Sequence, residues 1–248
     1  MSEVLAYTVR ESSRARHVRL RVTNTAAVEV VVPSGFDRRW LPEMLRTRQA
    51  WLERAVARAQ VRLSERSPLV PPVALELRAI GERWTVEYRE TSSARTIARE
   101  HSDGVVVVHG PADDRARQRA LRRWLCRHLD APMDARLRAL AIPLGCDPAL
   151  VRLHWQRSRW GSCSAAGNIN LNTKLGFLPP QLVDHVMLHE LAHLEVFDHS
   201  PAFYDLLSGR DMNAAENICE LRDAWRYVPL WLDLILDSVN KMDRAITS

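Results

Sequence analysis

The segment His189-Glu190-Leu191-Ala192-His193 restricts this chain more than any other stretch of it. Four residues advance a 3.6-residue helix by about 400°, so two histidines at that spacing leave one helix face a turn apart and can share a tetrahedral metal ion. Glu190 stands beside them, close enough to take a proton from a water at the metal without being a ligand itself. Val183, Val186, Leu188 and Leu191 supply an apolar stripe, so the same helix keeps a core-facing side. Pro179-Pro180 opens it in the preferred first-turn position.

Of the nine histidines, four (His185, His189, His193, His199) fall between 185 and 199. His199 is placed to return a third nitrogen after the helix ends, which leaves a fourth position open, as catalysis requires. Glu216 and Glu220 are rival third ligands. His185 lies one further turn back, too far along a straight helix for one metal, and reads as a packing or rim residue. Glu195, about 200° around from His193, points away. A metzincin is not assigned, because Val196 occupies the position where that group turns on glycine, and Met212 alone is no Met-turn.

Composition removes other classes. Hydrophobic residues at 46% and charged residues at 26% are a globular balance. No apolar run approaches the roughly 18 residues of a membrane span. Met1 to Arg14 carries Glu3 and Glu11 and no apolar stretch, so no secretory signal is expected and a cytoplasmic location is. The four cysteines show no C-x-x-C spacing, which speaks against a disulfide framework and a closed cysteine zinc site. The net charge of +5 is almost wholly arginine, since Lys174 and Lys241 are the two lysines. Residues 1–66 hold thirteen arginines against seven acids. That excess supports an alternative reading, a zinc-containing module that docks nucleic acid or a protein through its N-terminal part, although no nucleic-acid motif accompanies it.

Along the chain, strands are expected at Val4–Arg10, His17–Val22 and Val28–Val32, then one helix from Arg38 to Leu63. A second β group spans 75–109. A long helix, Asp113 to Leu140, should be interrupted or kinked at Pro132. Val151–Gln156 reads as a strand. Asn168–Leu175 does too, with Ile169, Leu171, Thr173 and Leu175 on an apolar face and Asn168, Asn170, Asn172 and Lys174 on a polar one.

The runs RSRWGSCS, GNINLNTKLGFLPP and VMLHELAHLEVFDHSPAFY, between Arg157 and Tyr204, resemble the YgjP-like metallopeptidase family, related to the WLM and SprT-like zincins. RHVRLRV, VVVPSG and the Trp51 helix fall where that family has its N-terminal β-rich segment, so the likeness reaches about residue 210. The resemblance implies an α+β fold, with helices packed on a small mixed sheet around the HExxH helix. Residues 1–110 would form a β-rich N-terminal subdomain with one helical segment and 111–248 the helical zincin-like catalytic part, or the two would make one continuous domain. His189, His193 and His199 would bind Zn2+, with Glu190 as general base. A peptide or protein substrate would pair with Asn168–Leu175 as an edge strand, against Asn168, Asn170 and Asn172. Asp198 and Tyr204 depart from the Asn and Trp usual at those positions. Arg157, Arg159 and Tyr204 are candidates to stabilise an oxyanion. Arg159–Gly161 could equally be structural, with Trp160 capping the core and Gly161 making the turn. Cys163 could occupy the open metal position as a thiolate, although a small packed side chain is the stronger reading.

Overall fold

The valines of Val28–Val32 become the centre of the first of two compact units, 1–67 and 68–248. The computed structural model of the chain describes residues 6–23, 26–64, 71–156 and 159–233, without the side chains of 62–64 and 233. In the first unit, β1 (Tyr7–Ser12) runs parallel to β3 (Val28–Pro33), and β2 (Arg19–Val22) runs antiparallel to it on the other side. Val28, Val30 and Val32 alternate toward Leu41 and Leu45 of α1 (Leu41–Thr47) and Leu52 of α2 (Gln49–Ser64), and these make the unit's own core. The single helix expected over 38–63 is divided. Asp37 caps a short 3-10 turn at Arg38–Trp40, and Arg48 (φ −110°, ψ 12°) separates α1 from α2. The apolar period continues across that one-residue departure, so the pattern does not reveal it.

The second unit opens with four strands, β4 (Ala74–Leu77), β5 (Glu82–Glu90), β6 (Ile97–Ser102) and β7 (Val105–Gly110), in the order β4-β5-β7-β6. β5 and β7 are parallel and the outer pairs antiparallel. Val106 and Val108 share a core with Leu121, Leu125 and Leu129 of α3 (Asp114–Ala141), which Asp113 caps by accepting the Arg115 N–H at 2.9 Å. This sheet and that helix bury one common core, and the compact units divide at 67/68.

Pro132 does not interrupt α3, which continues through it to Ala141. The missing hydrogen bond and the ring clash oppose a continuous helix by about 3 kcal/mol. Complete burial of Leu129 and Leu137, with Met133 at 1% exposure, offsets this on both sides of the proline.

A second sheet follows, built from β8 (Leu150–His154), β9 (Gly161–Cys163) and β10 (Asn168–Asn172) in the order β8-β10-β9. β10 is therefore the central strand, parallel to β8 and antiparallel to β9. This overturns the reading of Asn168–Leu175 as an edge strand with a solvent-facing polar side. The strand ends at Asn172, where a 3-10 turn, Thr173–Phe177, begins. Asn172 is fully buried. Its side chain accepts the Lys174 N–H at 3.1 Å and donates to the carbonyls of Gln156 (3.1 Å) and Arg159 (2.7 Å). Lys174 is buried as well, with its ammonium 5.0 Å from the ring centre of Trp155 and 4.6 Å from that of Trp225. Polar residues that find partners can occupy an interior face, and alternation alone does not distinguish that face from a wet one. Helices α4 (Pro180–Ala192), α5 (Pro201–Arg210), α6 (Ala214–Leu221) and the short α7 (Leu230–Asp233) complete the unit.

Candidate metal centre

α4 is anchored by Leu182, Val183, Met187 and Leu191, all fully buried, and this orientation decides where its last turn points. His189 and His193 leave that turn together, with their Nε2 atoms 3.2 Å apart. Past the helix end the chain turns back through Asp198, whose carboxylate accepts the Ser200 N–H at 3.2 Å, and α5 starts at Pro201. Ser200 is the N-cap by position, without a side-chain capping bond. The reversal brings His199 Nε2 to 3.2 Å from His189 Nε2. Phe203, fully buried on α5, packs against all three imidazoles with ring centres 4.5 to 4.9 Å away.

The three rings fit a bound cation. His193 Nδ1 lies 3.0 Å from the Val196 carbonyl, which can only accept, so the ring proton sits on Nδ1 and Nε2 presents a bare lone pair. Burial, reinforced by the neighbouring histidines, holds the His189 pKa down at about 4, and burial also lowers that of His193. Both rings are neutral at pH 7 and available as ligands. Two nitrogens bound tetrahedrally at about 2.0–2.1 Å stand roughly 3.3 Å apart, close to the spacing of these rings. Among the described residues, His189, His193 and His199 form the one group of three or more metal-ligating side chains.

Glu190 is buried beside them, and its Oε2 has no hydrogen-bond partner among the described residues. Burial raises its pKa to about 7, an effect the positive charge of Arg159 partly opposes. A metal cation at the imidazoles would favour the ionised form further. The strand next to this carboxylate is β9. A Cβ on Gly161 would fall 2.5 Å from Glu190 Oε1, so the glycine is needed for the side chain opposite it, not for a turn. Nothing in the pattern of the loop shows that role, and nothing marks Phe203 as the wall of the histidine cluster.

The other sequence candidates separate cleanly. Arg159 is exposed and acts on Glu190 through its charge. Tyr204 is exposed, with its ring centre 6.4 Å from that of His199. Arg157 lies outside the described residues. Asn168 and Asn170 are half-buried in the middle strand, and the amide of Asn172 is fully engaged with backbone. His185 turns from the cluster to bond Asp211 through Nδ1 at 2.5 Å, and Asn217 donates to the same carboxylate at 3.0 Å. Glu195 pairs with Arg210, Glu220 accepts from Tyr227 at 2.7 Å, and Glu216 is exposed, so none of the three joins the histidines. Met212 is 98% exposed. Cys163 stands on β9 with its thiol 3.5 Å from the Ser164 carbonyl, and burial together with the Glu190 charge raises its pKa, which opposes a thiolate. Trp160 stacks on Trp225 at 4.3 Å, on the margin of the core.

A mixed α and β unit that brings three imidazoles and a buried carboxylate together has the donor set of a metal-dependent hydrolase. The chain belongs to the YgjP-like metallopeptidase domain family, whose family model matches residues 16–222. No curated protein and no solved structure matches it. Among the described residues, no helix is long and apolar enough to cross a membrane.

Proposed function

We propose that this protein is a zinc-dependent peptidase of the HExxH type, with a zincin-like core in which His189, His193 and His199 hold Zn2+ and Glu190 is the general base. The observation that carries this reading is the convergence of three Nε2 atoms beside a buried carboxylate whose Oε2 lacks a partner. When bound, zinc supplies Lewis acidity to the attacking water and to the scissile carbonyl. Glu190 takes the water proton on Oε2 and delivers it to the leaving amine. Burial raises the carboxyl pKa, the charge of Arg159 opposes that rise, and a bound cation would favour the ionised form that a base requires. Phe203 fixes the imidazole planes, and the Val196 carbonyl fixes the His193 tautomer. Arg159 and Tyr204 are the described candidates for stabilising the oxyanion.

With β10 enclosed by β8 and β9, the edge strand that an extended peptide would join is β9, because of the two edges it is the one that Glu190 packs against at Gly161. The alternative, a structural zinc module for nucleic acid, calls for four protein ligands, and the described cluster offers three.

Metal content measured together with cleavage of a peptide library tests the assignment. Glu190→Gln should retain zinc at the wild-type stoichiometry and lose at least about 100-fold in activity. Wild-type cleavage by that variant would remove the base, and zinc retained in full by His199→Ala would remove the third ligand.

A further inference from the structure

The division of the chain at 67/68 also divides its charge. Residues 1–67 hold thirteen arginines against seven acids, whereas residues 68–248 hold twenty-two basic side chains against twenty-three acids. The first unit therefore carries the whole positive excess. Part of it is matched locally, since Arg10 and Arg21 share Glu29, Arg39 meets Asp37, and Arg46 meets Glu43. On α2 the matching stops. Leu52 and Val56 take one side of that helix into the unit's core, and Ala59 is buried along with them. Trp51, Arg54 and Arg58, at i, i+3 and i+7, share another side and are exposed. Arg48, also exposed, precedes them by one turn, its carbonyl accepting the Trp51 N–H at 3.1 Å. No carboxylate pairs with Arg48, Arg54 or Arg58 among the described residues. Glu53 stands about 200° round the helix from Trp51 and accepts from Gln49 at 2.9 Å. Trp51 is 41% exposed. Trp84, Trp124, Trp155, Trp160 and Trp225 each meet another ring or a cation, and Trp51 meets neither among the described residues.

We propose that this face of α2 docks single-stranded nucleic acid, with Arg48, Arg54 and Arg58 on the phosphates and Trp51 stacked on a base. The surface belongs to the unit that lacks the histidine cluster, so it stands whether or not the peptidase reading does. Arg48 to Arg58 covers about 15 Å of helix, along which a strand presents about four phosphates. Guanidinium forks take phosphoryl oxygens in pairs. An open indole between them is the aromatic surface on which bases of any sequence stack. A bilayer would need the apolar side of the helix, and that of α2 is committed to the core. An acidic peptide would match the charge and leave Trp51 without a stacking partner.

Anisotropy of a labelled oligothymidylate, titrated with the full chain in its metal-loaded form, tests this surface. Binding should weaken steeply with salt. Arg54→Ala and Arg58→Ala should each weaken it several-fold and lower the log–log salt slope by about 0.7. Trp51→Ala should weaken it about tenfold, and Trp51→Phe, which keeps a stacking ring, should recover most of that loss. Arg115→Ala, an exposed arginine of α3, removes the same charge and should bind as wild type, as should the protein stripped of metal. All these positions are exposed, so the far-UV spectrum should not change. The proposal is overturned if the wild type does not bind, if the α2 arginine variants bind normally, or if Arg115→Ala loses as much as they do. Loss of binding on chelation would put the strand on the metal and overturn it too. Full binding by Trp51→Ala would remove the stacked base and with it the nucleic acid. Tighter binding of polyglutamate or of anionic vesicles through the same arginines would replace the strand with an acidic protein or a membrane.

Discussion

Glu190 and Gly161 act as one pair. The carboxylate occupies space that a side chain at 161 would take, and a Cβ placed there meets Oε1 at 2.5 Å and the carboxyl carbon at 2.8 Å. In Gly161→Ala the glutamate has to move, because its neighbour is strand backbone held in register with β10. Displacement of a catalytic group by about 1 Å can lower the rate about 100-fold. Gly161→Ala should therefore lose activity to that extent while binding metal normally, since the atoms nearest to the added Cβ are all of Glu190 and the imidazoles are the metal-ligating group. Kinetics and metal analysis on one preparation will check this. Wild-type turnover in the alanine variant would show that the carboxylate has room to spare.

The same burial makes the metal-free protein pH-sensitive. Glu190 has a folded pKa of about 7 against an ordinary carboxyl value of 4.5, so its folded form holds a proton that the unfolded chain releases. Stability from this group is fully present below pH 4.5 and is lost as the pH rises through 7. Metal-free Glu190→Gln, neutral throughout, should equal the wild type near pH 4.5 and exceed it at pH 8 by on the order of 3 kcal/mol. Urea unfolding of both proteins after chelation isolates Glu190, because the histidines titrate in each. A pH-independent difference between the two would mean that the carboxylate is not buried in the metal-free state.

At the level of elements, the His185–Asp211–Asn217 network joins α4 to the turn before α6. His185 is 2% exposed, and Asp211 takes bonds from both partners. Although burial acts to raise the Asp211 pKa, the bonds from His185 and Asn217 hold it below its ordinary value. Asp211→Ala would leave a buried imidazole without its acceptor and should destabilise the protein by about 2–3 kcal/mol, read by chemical unfolding. A loss below about 0.5 kcal/mol would mean that another group takes over the histidine.

Elements also explain which parts of the site are legible in the sequence. His189, Glu190 and His193 are related by local helix geometry, so their spacing specifies their arrangement. His199 is six residues beyond His193, and its return depends on the short turn that Asp198 and Pro201 define, which still lies within local sequence. The neighbours of β10 are a different matter. Its alternation of Asn with Ile and Leu suits a wet edge and a dry centre equally well, and contacts from Gln156, Arg159 and the 3-10 turn decide between them. The continuity of α3 through Pro132 is likewise not legible in local propensity, because the burial that opposes the penalty comes from residues distant in sequence. For the same reason the association of the second β group with α3 is not legible in the pattern, since its valines are buried by a helix that follows it.

On the scale of the whole molecule, the two compact units have separate hydrophobic cores, and every residue of the histidine cluster comes from the last turn of α4 and the turn that joins it to α5 in the second. A ligand that binds only the native state stabilises what it touches, by about 4 kcal/mol at a thousandfold excess over its dissociation constant. Metal should therefore act unequally along the chain. Saturating zinc should slow amide exchange in α4 and α5, where His189 and His199 become tied together, and leave the amides of β3 unchanged. Chelation should reverse the first effect without the second appearing. Hydrogen exchange on the full chain, with zinc and with chelator, reads both regions at once. If β3 gains the same protection as α4, the units open together and the metal stabilises the molecule as one body; if neither changes, the three imidazoles do not hold the ion.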